Sequence, residues 1–252
     1  MTTTYFTSPE GRRLAYRASA PTHSPLTYVW LSGFKSDMSG TKVTELEAWA
    51  TEAGHGFLAF DYSGHGLSDG AFEDGTISAW REDALAAIDT HSTGPIVLVG
   101  SSMGGWMALL AALARPDRVA GLVLIAPAPD FTEKLMWPEF SAEAQSEIME
   151  QGFTQRPSDY DEPYTITRAL IEDGQTWQIL DAPIKLDIPV RILQGMQDAD
   201  VPWKHAERLV DTITSEDLIF TLIKDGDHRL SREQDIARLK TTCAEIATAT
   251  RP

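Results

Sequence analysis

From Leu26 onward, the chain alternates between short apolar segments and longer amphipathic segments. The apolar segments are rich in β-branched and aromatic residues, which favours buried strands, and the segments between them have helical spacing. This alternation is typical of an α/β fold with a mostly parallel sheet and helices on both faces, because each parallel strand needs a crossover to reach the next. The predicted strands lie in TYVWLSG, GFLAFDYSG, PIVLVGSS, VAGLVLIAP, IPVRILQG and DLIFTLI, and the predicted helices lie near 43–53, near 77–89, after Ser102, near 203–210 and near 232–248.

Two regions depart from this alternation. Near the N-terminus, residues 5–7 and 14–18 flank the turn Ser8-Pro9-Glu10-Gly11, which predicts an antiparallel hairpin. Between Pro129 and Asp187 the strand pattern disappears, and apolar residues follow helical spacing among acidic ones. An insertion of this length needs structure of its own in a compact domain, so we expect a small helical cap over the strand ends at about residues 130–187. Scaffold helices away from the site are the alternative.

The composition fits one α/β domain over residues 1–252. The chain has 252 residues, of which 42% are hydrophobic, so it can bury a large core. Its formal net charge of −16 argues against nucleic acid or an anionic membrane as a partner, since both bind basic surfaces. No apolar run approaches the length of a membrane span, so we expect no membrane insertion. The expected assembly is a monomer or a homodimer.

The cysteine count and the N-terminus bear on location. Cys243 is the one cysteine, so it forms no internal disulfide, and its apolar neighbours in the last predicted helix indicate a packed residue. The first residues lack a basic start followed by an apolar stretch. Together these features predict a cytoplasmic protein.

The segment from Pro95 to Ala114 carries the strongest chemical signal. A serine, Ser102, lies between Gly100 and Gly104 where a buried strand gives way to a helix, which is the layout of a nucleophile elbow. The sharp turn strains the serine backbone, and glycines on both sides let the flanking segments pack closely. The backbone N–H of Met103, at the start of the helix, would then face the oxyanion of an attacked carbonyl.

A serine nucleophile needs a base within hydrogen-bond reach. We predict His228, because it follows the last predicted strand and so lies at the carboxyl edge of the sheet, where open α/β sheets bind their ligands. His65 follows another strand at the same edge and is interpreted mainly as a loop residue that supports its turn. His205 is interpreted as an exposed helical residue.

The base needs an acid to orient it, and QGMQDADVP offers two. We favour Asp198, which comes directly after the strand over 190–193. Asp200 lies nearer the next helix and more plausibly serves the turn or caps that helix. Asp130 is a third candidate, in the loop after another strand.

The loop after the first parallel strand is expected to supply the second oxyanion donor. Our candidate is the N–H of Phe34, and Gly33 would let the chain approach the serine. Gly33 and Phe34 are therefore also predicted to bind substrate. The cap residues Trp137 and Phe140 are predicted to do so as well, because their rings suit a fatty acyl chain, although they would equally pack the cap onto the core.

With these residues in place, the chain resembles the α/β-hydrolase fold superfamily along nearly its whole length. Several segments look like a mitochondrial group described as acyl-glucuronide esterases and palmitoyl-protein thioesterases, and like its bacterial relatives: GTK at 40–42, FDYSGHGLSDG, GSSMGGW, ARPDRV, LQGMQDADVPW and DHR at 227–229. The resemblance implies ester or thioester cleavage, with Ser102, Asp198 and His228 as the triad and Phe34 and Met103 as oxyanion donors. The chain departs from the broad pattern by having Ser-Gly before the oxyanion donor and Gln-Gly before the acid, where many members have His-Gly.

The sequence thus predicts a serine hydrolase that cleaves carboxylic esters or thioesters through an acyl-enzyme on Ser102. The predicted partner is a small-molecule ester or thioester, and the chemistry requires no metal and no organic cofactor. The same triad would also serve the hydrolysis of carbon–carbon bonds or lactones. A non-catalytic ligand-binding protein on the same fold is the alternative from another class.

Overall fold

The computed structural model describes residues 2–156 and 163–250, which contain ten strands and seven α-helices. The strands are β1 (Thr4–Thr7), β2 (Arg13–Ser19), β3 (Thr27–Leu31), β4 (Gly56–Phe60), β5 (Ile96–Ser101), β6 (Val119–Ile125), β7 (Phe153–Arg156), β8 (Tyr164–Thr167), β9 (Val190–Gly195) and β10 (Leu218–Ile223). The α-helices are α1 (Thr41–Glu52), α2 (Ile77–His91), α3 (Met103–Ala114), α4 (Ala142–Gln151), α5 (Arg168–Thr176), α6 (Trp203–Thr212) and α7 (Glu233–Ala249).

Eight of the described strands form one sheet in the order β1-β2-β4-β3-β5-β6-β9-β10. Neighbours from β4 to β10 in this order run parallel. β1 and β2 form an antiparallel hairpin, and β2 is antiparallel to β4. The predicted fold class, a mostly parallel sheet with an N-terminal hairpin, is confirmed.

The sheet has a buried core on each face. Side chains of α2, α3 and α6 belong to the core of one face, and side chains of α1 and α7 belong to that of the other. Every residue of β3, β4 and β5 is buried, which explains why these strands are continuous apolar runs without alternation. Cys243 is buried in α7, as expected, and its carbonyl accepts a hydrogen bond from Tyr28 Oη at 2.7 Å.

The segment between β6 and β9 contains the helices that the sequence predicts and also a small sheet that it does not. A π-helical turn at Thr132–Met136 and a 3-10 turn at Trp137–Glu139 lead into α4, and α5 follows later. Between α4 and α5, β7 and β8 pair antiparallel. Each of these strands has four residues with one buried side chain, Thr154 in β7 and Ile166 in β8. So short a strand cannot display the alternation by which strands are recognised.

Candidate active site

Ser102 lies at the sharp turn between β5 and α3. Its backbone has φ 55° and ψ −119°, which a residue with a side chain rarely adopts. Three backbone hydrogen bonds hold the turn. Ser102 N–H donates to Ile125 O at 2.9 Å, and Ser102 O accepts from the N–H groups of Gly105 and Ala128 at 2.8 and 3.1 Å. The strained serine is thereby fixed at the carboxyl edge of the sheet.

The glycines beside Ser102 are required by close contacts between backbone segments. A Cβ atom on Gly100 would lie 2.2 Å from the carbonyl oxygen of Gly104, and one on Gly104 would lie 2.0 Å from that of Leu31. Both distances are far inside van der Waals contact. A side chain at either position would therefore push α3 away from the strands that it packs against.

His228 connects Ser102 to Asp198. Its Nε2 lies 3.1 Å from Ser102 Oγ, and its Nδ1 lies 2.8 Å from Asp198 Oδ2. An ionised carboxylate only accepts hydrogen bonds, so these partners assign the proton to Nδ1 and leave Nε2 as the acceptor for the serine hydroxyl. The structure thus joins the three residues that the sequence proposes as a triad in one hydrogen-bonded chain.

The Asp198 side chain is fully buried and held on both oxygens. Oδ1 accepts hydrogen bonds from the N–H groups of Asp200 and Val201 at 3.0 and 2.8 Å. Oδ2 accepts one from Gln194 Nε2 at 3.0 Å in addition to the bond from His228. Gln194 is the residue of the Gln-Gly departure noted in the sequence, and its contact with the acid could not be read from that pair alone.

The other two acids lie elsewhere in the hydrogen-bond network. Asp200 contributes its backbone N–H to Asp198, which fits the role in the turn suggested from the sequence. Asp130 accepts from the N–H groups of Ile179 and Leu180, both at 2.9 Å. It therefore secures the segment after α5 rather than contacting His228.

The loop after β3 approaches Ser102 through Gly33. A Cβ atom on Gly33 would lie 3.3 Å from Ser102 Cβ and 4.0 Å from its Oγ, so only glycine fits here without displacing its neighbours. Phe34 follows directly, and its ring packs against those of Phe72 and Phe131 with centroids 4.9 and 5.6 Å apart. Gly33 and Phe34 both line the cavity above Ser102, as does Met103.

His65 supports this loop from below. Its Nδ1 lies 3.2 Å from Ser63 O, and its Nε2 accepts a hydrogen bond from Lys35 N–H at 3.2 Å. Lys35 has φ 54°, so the bond secures a second strained residue next to Phe34. Burial lowers the pKa of His65 to about 4, which keeps the ring neutral and its Nε2 an acceptor at neutral pH.

A cavity of about 780 Å³ opens above Ser102 and His228. Residues of the segment between β6 and β9 form part of its wall: Leu135, Met136, Glu139, Arg156, Tyr164 and Ile166. Trp137 and Phe140 are not among the lining residues. Their rings contact each other, with centroids 6.1 Å apart, and pack against the core.

Sequence reasoning also missed the contacts of two side chains outside the triad, Lys42 and His205. Lys42, in the GTK segment, donates through Nζ to the carbonyl of Arg229 and thereby ties α1 to the loop that carries His228. Desolvation lowers the pKa of Lys42 to about 8. His205, interpreted as exposed, is buried, and its Nε2 lies 2.8 Å from Pro129 O. The helical spacing of His205 and Leu209, both buried on α6, was the available signal.

One group of side chains in the described residues has the spacing of a metal site. Ligand atoms of Asp198, Asp200 and His228 lie within 4.8 Å of one another. Both oxygens of Asp198 already accept hydrogen bonds, and Nδ1 of His228 is engaged with one of them. These contacts suit an oriented histidine better than an ion, and the absence of a metal requirement stays a prediction.

The sequence pattern of the alpha/beta hydrolase family matches residues 24–240. The chain belongs to this family. The bovine (Bos taurus) relative named mitochondrial palmitoyl-protein thioesterase ABHD10 is 38% identical over 220 residues, which cover 86% of this chain and 72% of the relative. The resemblance found in the sequence motifs is thereby confirmed, and the protein is a hydrolase.

Two solved structures show the same fold at substantial identity. A putative hydrolase from Agrobacterium vitis S4 is 44% identical, with a TM-score of 0.93 and 98% of each chain covered. Mouse alpha/beta hydrolase domain-containing protein 10 is 34% identical, with a TM-score of 0.89 and the same coverage.

The comparisons do not confirm the predicted location. In the part of the chain that the structure describes, none of the helices has the length and apolarity to cross a membrane. The bovine relative is named as mitochondrial, so the cytoplasmic prediction is not confirmed.

Proposed function

We propose that this protein hydrolyses carboxylic ester or thioester bonds through an acyl-enzyme on Ser102. The observation that carries the proposal is the hydrogen-bonded chain from Ser102 Oγ through His228 to Asp198. Such a chain gives a hydroxyl a base in the correct tautomer and holds that base with a buried acid. Activation of Ser102 needs both partners: His228 accepts its proton, and Asp198 orients His228.

The reaction begins with attack of Ser102 Oγ on the carbonyl carbon, while its proton passes to His228 Nε2. The carbonyl oxygen becomes an oxyanion, and the N–H groups of Phe34 and Met103 stabilise it. Collapse of this intermediate breaks the bond to the alcohol or thiol, which leaves with the proton from His228. Water then attacks the acyl-enzyme by the same route and releases the acid.

The cavity and the named relatives support an acyl substrate of some size. Its volume of about 780 Å³ lies within the range of small-molecule sites, and apolar side chains from both the sheet and the cap line it. The bovine relative is named as a thioesterase for palmitoylated proteins. We therefore place long acyl thioesters first among the candidate substrates.

The test compares p-nitrophenyl esters of increasing chain length with the matching acyl thioesters, using wild type and Ser102→Ala. We expect kcat/KM to rise with chain length on thioesters and kcat to fall by about 10⁶ in the variant. A preference for short esters would keep the mechanism and remove the long-acyl assignment. Wild-type hydrolysis rates in Ser102→Ala would contradict the mechanism itself.

A serine-directed fluorophosphonate probe gives a second readout that does not depend on the substrate. We expect it to label wild type and to leave Ser102→Ala unlabelled, because only an activated hydroxyl reacts. Equal labelling of the two proteins would place the reactive group elsewhere.

A further inference from the structure

The strand β10 forms one edge of the eight-stranded sheet and exposes apolar side chains. Its sequence, LIFTLI, contains no charged residue, and Ile219 and Leu222 are 49% and 40% exposed. Helix α6 packs on β10 and leaves Val210 39% exposed as well. Natural proteins protect edge strands with charges, proline or bulges because an unprotected edge pairs with other strands. β10 has none of these within its length.

The backbone of β10 also offers hydrogen-bonding groups to a further strand. Val190 N–H donates to Asp217 O, and Met196 N–H donates to Ile223 O, so the odd-numbered residues direct their backbone groups toward β9. Because the direction alternates along a strand, the N–H and C=O groups of Leu218, Phe220 and Leu222 face away from the sheet. No strand of the described chain lies on that side.

Opposite charges without ion-pair partners stand at the two ends of β10. Asp217 pairs with Arg191 at 2.8 Å, and Asp225 pairs with Arg232 at 2.7 Å. Glu216 and Lys224 are exposed, and within residues 2–156 and 163–250 neither makes an ion pair. One acidic and one basic group are therefore available at opposite ends of the same edge.

We propose that two copies of this chain associate through β10, antiparallel, about a two-fold axis at Phe220. In such a two-fold interface, a residue on one side of the axis lies opposite the residue at the same distance on the other side of the axis in the second copy. Phe220 then lies opposite Phe220 of the second copy, Leu218 opposite Leu222, and Glu216 opposite Lys224. Leu218, Phe220 and Leu222 carry outward-facing backbone groups, so their opposed pairs also exchange backbone hydrogen bonds, while Glu216 and Lys224 flank the paired strands.

The charges favour this register over the one with its axis at Thr221. An axis at Thr221 would place Asp217 opposite Asp225 of the second copy, and like charges directly opposite each other on paired strands are destabilising. It would also set Lys224 against Leu218 and leave Glu216 opposite Gly226. The axis at Phe220 avoids placing Asp217 opposite Asp225. It also places Glu216 opposite Lys224 at each end of the interface.

The pairing joins the two sheets into one. Ser102 and His228 lie at the carboxyl ends of the parallel strands. The paired strands run in opposite directions, so the two cavities open at opposite ends of the joined sheet.

The test measures molar mass by sedimentation over a range of protein concentrations. For wild type we expect twice the 27.7 kDa of one chain. Glu216→Lys and Lys224→Glu each place like charges opposite one another at both ends of the interface, and each should weaken association about tenfold or more. The double variant Glu216→Lys/Lys224→Glu exchanges the charges and should restore the dimer. Glu52→Lys, the same charge change on α1, is the matched control and should leave the mass unchanged.

Three outcomes would overturn the proposal. They are a wild type that stays monomeric at every concentration, a dimer that neither single charge reversal weakens, and a double variant that does not recover association. Circular dichroism of each variant verifies that the fold is retained. The mass measurement involves no substrate, so its result does not depend on whether Ser102 acts as the nucleophile.

Discussion

The cavity has two sides that are built differently. The sheet side consists of Gly33, Phe34, Ser102 and His228, with the buried Asp198 behind His228. It is fixed by backbone strain, close contacts and hydrogen bonds. The cap side, which consists of Leu135, Met136, Arg156, Tyr164 and Ile166, comes from short elements and offers mainly side-chain surface. Proton transfer needs partners placed to within a fraction of an ångström, whereas an acyl chain needs only a matching volume. In the proposed function, the comparison therefore places the chemistry on the sheet side and the choice of substrate on the cap side.

After the loss of Ser102 itself, the largest effect is expected from Asp198→Asn on the sheet side. The new amide group would face Gln194 Nε2 and His228 Nδ1, so donors would oppose donors and the imidazole would switch its proton to Nε2. With that tautomer the serine has no base, and kcat should fall by about 10⁴. The measurement is kcat on a p-nitrophenyl ester at neutral pH.

Asp200→Asn is the comparison variant for this prediction. It removes a carboxylate two residues away, whose side chain makes no hydrogen bond to His228 among the described contacts. The fall in kcat for Asp200→Asn should be far smaller than that for Asp198→Asn. The reverse order of losses would make Asp200 the orienting acid.

A second prediction tests the close packing beneath Ser102. In Gly104→Ala the new methyl group would lie 2.0 Å from Leu31 O, which is backbone and cannot rotate away. We expect the free energy of unfolding to fall by at least about 3 kcal/mol, measured by urea denaturation. Gly40→Ala is the control, because a Cβ there would meet only Asp37 O at 4.0 Å, and its loss should stay below about 1 kcal/mol. Equal losses would mean that α3 shifts freely and that the elbow is not tightly packed.

The sheet side could be predicted from sequence because each of its residues follows a strand. Parallel strands bring their carboxyl ends to one edge, so finding Gly33, Ser102, Asp198 and His228 after four predicted strands was enough to place them together. The elbow added a local signal in its two glycines. Strand order and hydrogen-bond partners were not needed for this inference.

The residues that sequence analysis missed depend on contacts between distant segments. Lys42 donates to the carbonyl of Arg229, which is 187 residues away in the sequence, and no local sequence pattern predicts that contact. The strands β7 and β8 each have one buried residue, which is too little for a period of two. For Trp137 and Phe140, an aromatic ring in a cap fits the core and a pocket equally well, and the structure packs both rings against the core.

A third prediction concerns the support that His65 gives to the loop after β3. His65 is 4% exposed, and burial lowers its pKa from 6.5 to about 4, so the unfolded chain binds a proton more readily than the folded one. The neutral ring therefore contributes stability that is fully present above pH 6.5 and is lost as the pH falls toward 4, by at most about 3 kcal/mol.

The experiment for His65 compares wild type with His65→Gln, whose amide oxygen can accept from Lys35 N–H but does not titrate. Urea unfolding at pH 7 and pH 4.5 gives the free energy of each protein. We expect wild type to lose about 2 kcal/mol more than the variant between these pH values. If the free energy of unfolding fell equally in both proteins, the pKa of His65 would not be lowered in the folded state.

The smallest expected effect, on the cap side, decides which of its side chains contact the acyl chain. Leu135 lines the cavity, whereas Trp137, two residues further on, packs against Phe140 and the core. In Leu135→Ala the ratio of kcat/KM for a long acyl thioester to that for a short one should fall about tenfold, because part of the apolar wall is lost. Trp137→Ala should change the ratio little, even if it lowers stability. If Trp137→Ala changed the ratio as strongly as Leu135→Ala, the acyl chain would extend beyond the present cavity and the original assignment of Trp137 to substrate binding would hold.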